Sequence, residues 1–196
     1  RGPSIPVRGP GQDLFLLEAT CKGQGMIAPI LQTDRMILSP LSLDVWEAYA
    51  AAWADPRMTT FIGGQPRTRT ESWGKFLQGI GLWSLFGYGY WSFTSRETGA
   101  FLGSGGLASF ERGIPELEGF PEAGWAFIPD AWGQGLATEA IAAVLDWADE
   151  SLGHPEIRCI IDAGNVASQR VADKLGFEPM GEVDFPPGKT QLFRRM

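Results

Sequence analysis

The residues best suited to chemistry lie in a glycine-rich turn between a predicted strand and a predicted helix. The strand covers residues 123–128, and Gly133 and Gly135 follow it directly before a long amphipathic segment. N–H groups at the start of a helix have no partner within the helix, and the helix dipole places partial positive charge there. Because glycine has no side chain, an anion can approach such N–H groups closely. The turn therefore predicts a phosphate site, although a tight turn without a ligand fits the same residues.

This turn does not match the two common nucleotide-binding loops. It lacks the Gly-Lys-Ser/Thr ending of a P-loop and the third glycine of the dinucleotide-binding motif. Nucleotide hydrolysis and hydride transfer therefore lose support.

Other reactive side chains are sparse. His154 is the only histidine, and the two cysteines, Cys21 and Cys159, lie far apart in dissimilar contexts. We expect His154 in a surface turn because it follows Gly153, a predicted helix terminator. We expect Cys159 in the core because its strand is apolar. These residues offer no spacing typical of metal ligands, so we predict no metal site and no disulfide scaffold.

The composition is that of a globular chain with an acidic balance. The sequence has 196 residues, a formal net charge of −7, eight Trp, twelve Phe and three Tyr. This aromatic content excludes a disordered chain. The negative charge disfavours nucleic acid and anionic lipid as partners and suits a cationic substrate. Two lone cysteines fit a reducing compartment, so we expect a cytoplasmic location.

One uncharged run, residues 76–93, is long enough to raise the question of a membrane span. Four glycines interrupt this run, which argues against a helix that faces lipid. Its aromatic residues, which include Trp83, Tyr88 and Tyr90, together with Leu85 instead predict a strand.

Hydrophobic spacing and capping residues predict the order of the remaining elements. Strands are predicted at residues 35–40, 88–94, 100–107, 123–128, 157–161 and 191–194. Helices are predicted after Ser42, after the capping box at residues 68–71, over residues 136–152 and before Gly176. Helices placed between strands imply a mixed α/β or α+β sheet.

The first 25 residues differ in kind from the rest because glycine and proline crowd them without sustained periodicity. We predict an N-terminal extension over residues 1–25 and one domain over residues 26–196. The extension is a cloning remnant, upstream translated sequence or a functional arm, and these alternatives stay open.

Two separated segments resemble a known family. Residues 132–140, Trp-Gly-Gln-Gly-Leu-Ala-Thr-Glu-Ala, resemble the acyl-CoA loop of the GNAT superfamily of N-acetyltransferases. Residues 165–177 resemble that family's second element, at a matching distance. Residues 33–38 resemble the opening of the branch that includes the ribosomal-protein N-terminal acetyltransferases of the RimJ/RimL type. The resemblance covers residues 31–196.

The resemblance implies a fold and a reaction. The fold is α+β, with a central, mostly antiparallel twisted sheet that is splayed at the acyl-CoA site and carries helices on both faces. The reaction is direct transfer of an acetyl group from acetyl-CoA to a primary amine within a ternary complex. The implied acyl-CoA-binding residues are Ala126, Phe127, Ile128, Trp132, Gly133, Gln134, Gly135, Leu136, Ala137, Thr138, Asn165, Arg170 and Lys174.

The first motif departs from the family pattern at one position. Trp132 stands where the general pattern has Arg or Gln. Phosphate binding then depends more on the main-chain N–H groups of residues 133–138, with Arg170 and Lys174 as side-chain assistants. Ala126, Phe127 and Ile128 are expected to offer main-chain groups to pantetheine and to the acetyl carbonyl.

For the general base the resemblance favours Glu122, at the start of the strand before the loop, acting through water. Glu111, Glu116 and Glu118 are nearby competitors, and an ordinary solvated carboxylate is the alternative. For the general acid it favours Ser168, which would protonate the leaving thiolate. None of the three tyrosines falls where many relatives place theirs. The alternative for Ser168 is a helix cap.

The acceptor is an amine, either a protein N-terminus or a small molecule such as a polyamine, an amino-acid-like toxin or an aminoglycoside. The alternative to an enzyme is a GNAT-like domain that binds acyl-CoA as a sensor or interaction module without turnover. A homodimer is an open option. Four tryptophans are expected in the core and along the acceptor groove, namely Trp46, Trp53, Trp73 and Trp91.

Overall fold

Eight strands form one sheet in the computed structural model, which describes residues 28–186 and 188–196. The strands are β1 (Leu31–Gln32), β2 (Met36–Pro40), β3 (Tyr90–Ser95), β4 (Phe101–Ala108), β5 (Glu122–Phe127), β6 (Ile157–Ile161), β7 (Glu178–Phe185) and β8 (Gly188–Arg195). The α-helices of these described residues are α1 (Trp46–Ala54), α2 (Pro56–Thr59), α3 (Arg69–Phe86), α4 (Leu136–Leu152) and α5 (Val166–Lys174). The predicted extension over residues 1–25, with Cys21, lies outside the described residues.

The sheet is antiparallel except at one junction. Its strand order is β1-β2-β3-β4-β5-β6-β8-β7, and only β5 and β6 run parallel. These two strands pair at a single position, Glu122 with Arg158, and then diverge. The predicted mostly antiparallel α+β sheet with a splay is thus confirmed.

Side chains from alternate strand positions point to opposite faces of the sheet, and the two largest of the three apolar clusters among the described residues lie one on each face. On one face, Trp91 and Phe93 of β3 belong to a cluster with Ile141 and Val144 of α4. On the other face, Ala126 of β5 joins a cluster supplied mainly by α1 and α3. Helices therefore cover both faces, as predicted.

Capping residues placed two helices as the sequence indicated. The side chain of Thr68 accepts a hydrogen bond from the Glu71 N–H while Glu71 reaches back to the Thr68 N–H, which is the predicted capping box at the start of α3. α4 covers Leu136–Leu152 and ends at Gly153, whose φ of 77° suits glycine. Ser42 is different, because it precedes a 3-10 turn and its side chain makes no capping bond.

The strand predicted across the second half of residues 76–93 is wrong at its start. α3 continues to Phe86 and stops at Gly87, which has a φ of 74°, so Trp83 and Leu85 are helical. β3 begins only at Tyr90. Two of the four glycines, Gly79 and Gly81, lie within α3, and at Gly79 the missing side chain leaves room for Leu41. None of the helices in the described part of the chain is long and apolar enough to cross a membrane.

The isolated reactive residues lie where the sequence placed them. Cys159 is buried on β6, and burial raises the pKa of its thiol above the ordinary range. The side chain of His154 is exposed in the turn after α4, with a φ of 54°. His154 Nδ1 lies 3.5 Å from an oxygen of Asp149, a carboxylate that also pairs with Arg195.

Close packing of β4 against β5 predicts that Gly105→Ala is destabilising. A Cβ at this position would lie 2.6 Å from the Gly124 carbonyl oxygen and 3.0 Å from Phe93 Cζ. We expect a loss of about 1–3 kcal/mol in the free energy of unfolding, measured by urea denaturation. The matched control is Gly74→Ala on α3, which meets no atom within 4 Å and should gain about 0.5–1 kcal/mol. Equal effects at the two positions would contradict the packing argument.

Candidate active site

The divergence of β5 and β6 opens a cleft of about 590 Å³. Its walls come from several elements: residues 60–64 and Arg67 between α2 and α3, Lys75 on α3, Tyr90 on β3, residues 122–126 on β5, residues 159–161 on β6 and Asp162 after it, Asn165 and Ser168 at the start of α5, and the facing ends of β7 and β8. The cleft therefore brings together Glu122 and Ser168, the two predicted catalytic residues.

Main-chain groups of β5 line the cleft in an alternating pattern. The N–H of Ile128 donates to the Leu102 carbonyl oxygen at 2.9 Å, so residues 124, 126 and 128 direct their main-chain groups towards β4. Trp125 and Phe127 direct theirs the other way, towards the gap beside β6. The Phe127 carbonyl already accepts a hydrogen bond from Trp132 Nε1 at 2.6 Å.

This pattern corrects one expectation from the sequence. Main-chain groups of Ala126 and Ile128 are engaged on the β4 side, whereas those available to a ligand belong to Trp125 and to the N–H of Phe127. Trp125 was missed because the sequence did not show which strand lies on which side of β5. Trp132, half exposed, uses its indole to hold the loop against β5.

The glycine-rich turn presents a row of N–H groups. Gly133 and Gly135 adopt left-handed φ values of 72° and 77°, and Gly135 forms the N-cap of α4. Within the described part of the chain, the N–H groups of residues 133–138 donate no hydrogen bond; the first to do so is that of Glu139, to the Gly135 carbonyl at 3.1 Å. Such a row suits the oxygens of a phosphate or pyrophosphate.

A polar clamp fixes the shape of this turn. Glu139 accepts hydrogen bonds from Thr33 Oγ1 at 2.5 Å, from the Arg35 N–H at 2.9 Å and from Arg35 Nε at 2.6 Å. Arg35 Nη1 donates to the Gln134 carbonyl at 2.8 Å. Although partial burial opposes it, these bonds keep the pKa of Glu139 below its usual range. Hydrogen bonds thus join residues 33–35 to residues 134–139, two segments that both carry the family resemblance.

Glu122 is buried and paired. The residue is 6% exposed, and its two carboxylate oxygens accept hydrogen bonds from Arg112 Nε at 2.8 Å and Nη2 at 2.9 Å. Glu122 is therefore not the solvated strand-end carboxylate of the alternative reading. The competing carboxylates Glu111, Glu116 and Glu118 are exposed and do not line the cleft. Sequence spacing could not reveal Arg112 as the partner.

Ser168 lies in the first turn of α5, but it is not the cap. Asn165 occupies the N-cap, and its Oδ1 accepts a hydrogen bond from the Ser168 N–H at 3.1 Å. The alternative that Ser168 caps its own helix is therefore wrong. Arg170 and Lys174 are exposed on α5 outside the cleft.

Two aromatic residues, Trp53 and Tyr90, also line the cleft. Tyr90 reaches so close to Gly124 that a Cβ at residue 124 would overlap its hydroxyl. Burial, and then the charge of Glu122, raise the pKa of the Tyr90 phenol above its usual range, so the hydroxyl stays protonated. Of the four tryptophans expected along the groove, Trp53 lines the cleft. Trp46 and Trp91 are buried, and Trp73 lies outside it.

Comparison with known proteins decides the family. The family described as the acetyltransferase (GNAT) domain matches residues 35–178. The chain belongs to the GNAT acetyltransferase family. The uncharacterized N-acetyltransferase YoaA of Bacillus subtilis (strain 168) is 28% identical over 160 residues, which cover 78% of this chain and 85% of YoaA. This GNAT chain is accordingly an N-acetyltransferase.

Solved structures agree with the assignment. An acetyltransferase from Agrobacterium tumefaciens str. C58 has a TM-score of 0.76 and 30% identity, covering 86% of this GNAT chain and 95% of that one. A ribosomal-protein-S5-alanine acetyltransferase from Vibrio fischeri has a TM-score of 0.68 and 15% identity, covering 86% and 97%. At that identity the second likeness shows the shared fold alone. In residues 28–186 and 188–196, no group of three or more His, Cys, Asp or Glu side chains is placed to hold a metal ion.

The open turn predicts that Gly135→Val abolishes CoA binding and leaves the protein folded. A β-branched side chain at a φ of 77° strains the turn and covers the N–H groups that face the phosphates. Titration calorimetry with CoA measures the affinity, and thermal unfolding measures the stability. Gly99→Val, in the β3–β4 turn, is the matched control, because Gly99 has a φ of 71° and a Cβ there would meet no atom within 4 Å, while one at Gly135 would meet only Arg35 Nη2 at 3.7 Å. Unchanged CoA affinity in Gly135→Val would disprove the placement of the phosphate site.

Proposed function

We propose that this N-acetyltransferase moves the acetyl group of acetyl-CoA directly to a primary amine in a ternary complex. The observation that carries the proposal is the splay of β5 from β6, because it places exposed main-chain groups, a buried carboxylate and a hydroxyl around one cleft. The amine nitrogen bonds to the acetyl carbon, and the carbon–sulfur bond breaks.

The donor is held mainly by the backbone. The N–H groups of residues 133–138 face its phosphates, with Arg170 and Lys174 as exposed cationic assistants on α5. Trp125 and Phe127 offer main-chain groups to the pantetheine arm and to the acetyl carbonyl, whose oxygen gains negative charge during attack. Asn165, at the cleft wall, contacts the same arm.

Glu122 is the proposed general base. An ionised carboxylate has about four lone-pair positions, and Arg112 uses two of them, so the others can accept a hydrogen bond from the amine or from a bridging water. Arg112 also holds the carboxyl group in one orientation. Glu122 then accepts the proton that the amine loses as it attacks.

Ser168 is the proposed general acid. Its hydroxyl lies at the cleft wall, and the capping bond of its helix is supplied by Asn165, which leaves the Ser168 side chain for another role. The hydroxyl gives its proton to the departing sulfur and regains one from solvent.

An α-amine is the easier acceptor. Its ordinary pKa of about 7.7–8.0 leaves a substantial neutral fraction near neutral pH, whereas a lysine amine at about 10.4 needs far more help. Either a protein N-terminus or a small molecule can supply such a group. Membership of the RimJ/RimL-type branch, the cytoplasmic location and the homodimer stay predictions.

Glu122→Gln should lower kcat by about 10²-fold or more, because the amide cannot accept the proton. The affinity for CoA, measured by calorimetry, should stay within about twofold, since the donor is bound elsewhere. Glu116→Gln is the matched control, an exposed carboxylate outside the cleft, and should keep the wild-type rate. Wild-type turnover in Glu122→Gln would eliminate Glu122 as the base.

Ser168→Ala should lower turnover by about 10²-fold while CoA affinity changes little, because the hydroxyl acts on the leaving sulfur rather than on the bound nucleotide. Steady-state release of free thiol gives the rate, and Ser151→Ala, on the exposed end of α4, is the control. If both variants turn over equally, Ser168 is not the acid.

The competing proposal is a sensor that binds acyl-CoA without turnover, and it is favoured by the absence of a tyrosine from α5. Free-thiol release from acetyl-CoA across a panel of amines separates the two. Tight CoA binding without release for any acceptor supports the sensor, and release with one amine class supports the enzyme.

A further inference from the structure

The cleft carries a local charge opposite to that of the chain. Its charged side chains are four cationic and two anionic: Arg67, Lys75, Arg112 and Lys189 against Glu122 and Asp162. The whole sequence has a net charge of −7. A cationic acceptor, which net charge alone suggests, would therefore meet like charges in the cleft.

Arg67 is held in place without a carboxylate. Its guanidinium stacks over the Trp53 ring, with Cζ 4.0 Å from the centroid. The main-chain N–H of Arg67 donates a hydrogen bond to the Trp53 carbonyl at 2.9 Å. No Asp or Glu oxygen of the described residues lies within salt-bridge distance of it. Glu71, which follows it along the chain, is bound to Thr68 in the capping box.

Lys75, on α3, is a second cation of the cleft. Its Nζ lies 5.1 Å from the Phe110 ring centroid and 3.2 Å from Gln78 Oε1, again with no carboxylate partner among the described residues. Burial lowers the pKa of Lys75, and the charges of Arg67 and Arg112 lower it further. The one buried carboxylate nearby, Glu122, is already paired with Arg112.

The phosphates of the donor do not account for these two cations. The turn that faces those phosphates, residues 133–138, does not contribute to the lining of this cleft. Arg67 and Lys75 instead lie on the α3 side, next to Tyr90 and the Glu122–Arg112 pair. An anion bound there belongs to the other substrate.

We propose that Arg67 and Lys75 bind an acid group of the acceptor, so that the acceptor is a small amine that also carries a carboxylate or a phosphonate, such as an amino acid. The planar guanidinium suits two oxygens of one acid group, and the ammonium neutralises its charge. The amine of the same molecule then lies at Glu122. This inference rests on the proposed acetyl transfer.

The kinetic test compares acceptors that differ only in the acid group. Amino acids, the aminophosphonates of equal length, the amino acid amides, a neutral peptide and a polyamine are assayed by thiol release. We expect kcat/KM for one acid series to exceed that for the amides by about tenfold or more, because hydrogen bonds to a charged group are lost in the amide. The series with the higher kcat/KM, carboxylate or phosphonate, identifies the acid group that the cleft binds.

The variants assign this preference to the cleft. Arg67→Gln should remove most of the preference for the acid by raising KM for the acidic acceptor, and it should leave kcat/KM for the amide unchanged. Arg67→Lys should restore part of the preference. Arg69→Gln is the matched control, because Arg69 pairs with Glu47 outside the cleft. Equal use of acid and amide by the wild type, faster use of the peptide or polyamine, or an equal loss for all acceptors in Arg67→Gln would overturn the proposal.

A binding measurement separates failure of this inference from failure of the proposed function. If no amine releases thiol, the acetyl transfer is disproved, but calorimetry still compares an N-acetylamino acid with its amide. Tighter binding of the acid by the wild type, lost in Arg67→Gln and kept in Arg69→Gln, supports an anion site at Arg67. Equal binding of acid and amide refutes it.

Discussion

The separation of β5 from β6 is the constraint on which the rest of the structure depends. Two parallel strands that pair at one position and then diverge leave main-chain groups without a strand partner, and a sheet tolerates this only where a ligand or solvent replaces the missing strand. The same gap receives the start of α5 and the ends of β7 and β8. One interruption of a regular sheet therefore forms the cleft in which the proposed donor arm and acceptor meet.

Charge is distributed in the molecule so that each ligand meets a different kind of positive potential. Backbone N–H groups, which carry no net charge, line the proposed phosphate site, whereas full cations line the side proposed for the acceptor. An acidic chain can thus accept two anionic ligands without a basic surface. Net charge is a sum over the whole sequence and does not give the sign of the charge that lines the cleft.

Much of the fold was readable from local signals. α4 was predicted to the residue because its apolar face is continuous and Gly153 ends it, and the Thr68–Glu71 box placed the start of α3. β7 was missed because almost all of its residues are exposed, so it shows no alternation of apolar and polar residues. The end of α3 was misplaced because its aromatic residues resemble those of a strand.

At the site, single residues were predictable and their partners were not. Glu122 and Ser168 follow from their places in motifs, but Arg112 and Tyr90 come from a loop and a strand whose approach only the folded chain reveals. Likewise, the choice of Trp125 over Ala126 depends on which neighbour each main-chain group faces. Pairings across the sheet carry no local signature in one sequence.

The clamp at Glu139 has a consequence for the order in which the chain becomes functional. It joins residues 104 and 106 positions apart, so the phosphate turn reaches its final shape only after the first strands have docked beside α4. During synthesis residues 33–35 are made before α4, so their hydrogen bonds to Glu139 cannot form until α4 has also been made. Closing so long a loop is entropically costly, and two glycines leave the turn free to fluctuate until then. The proposed donor site therefore depends on the native topology of the whole sheet and not only on the helix that displays it.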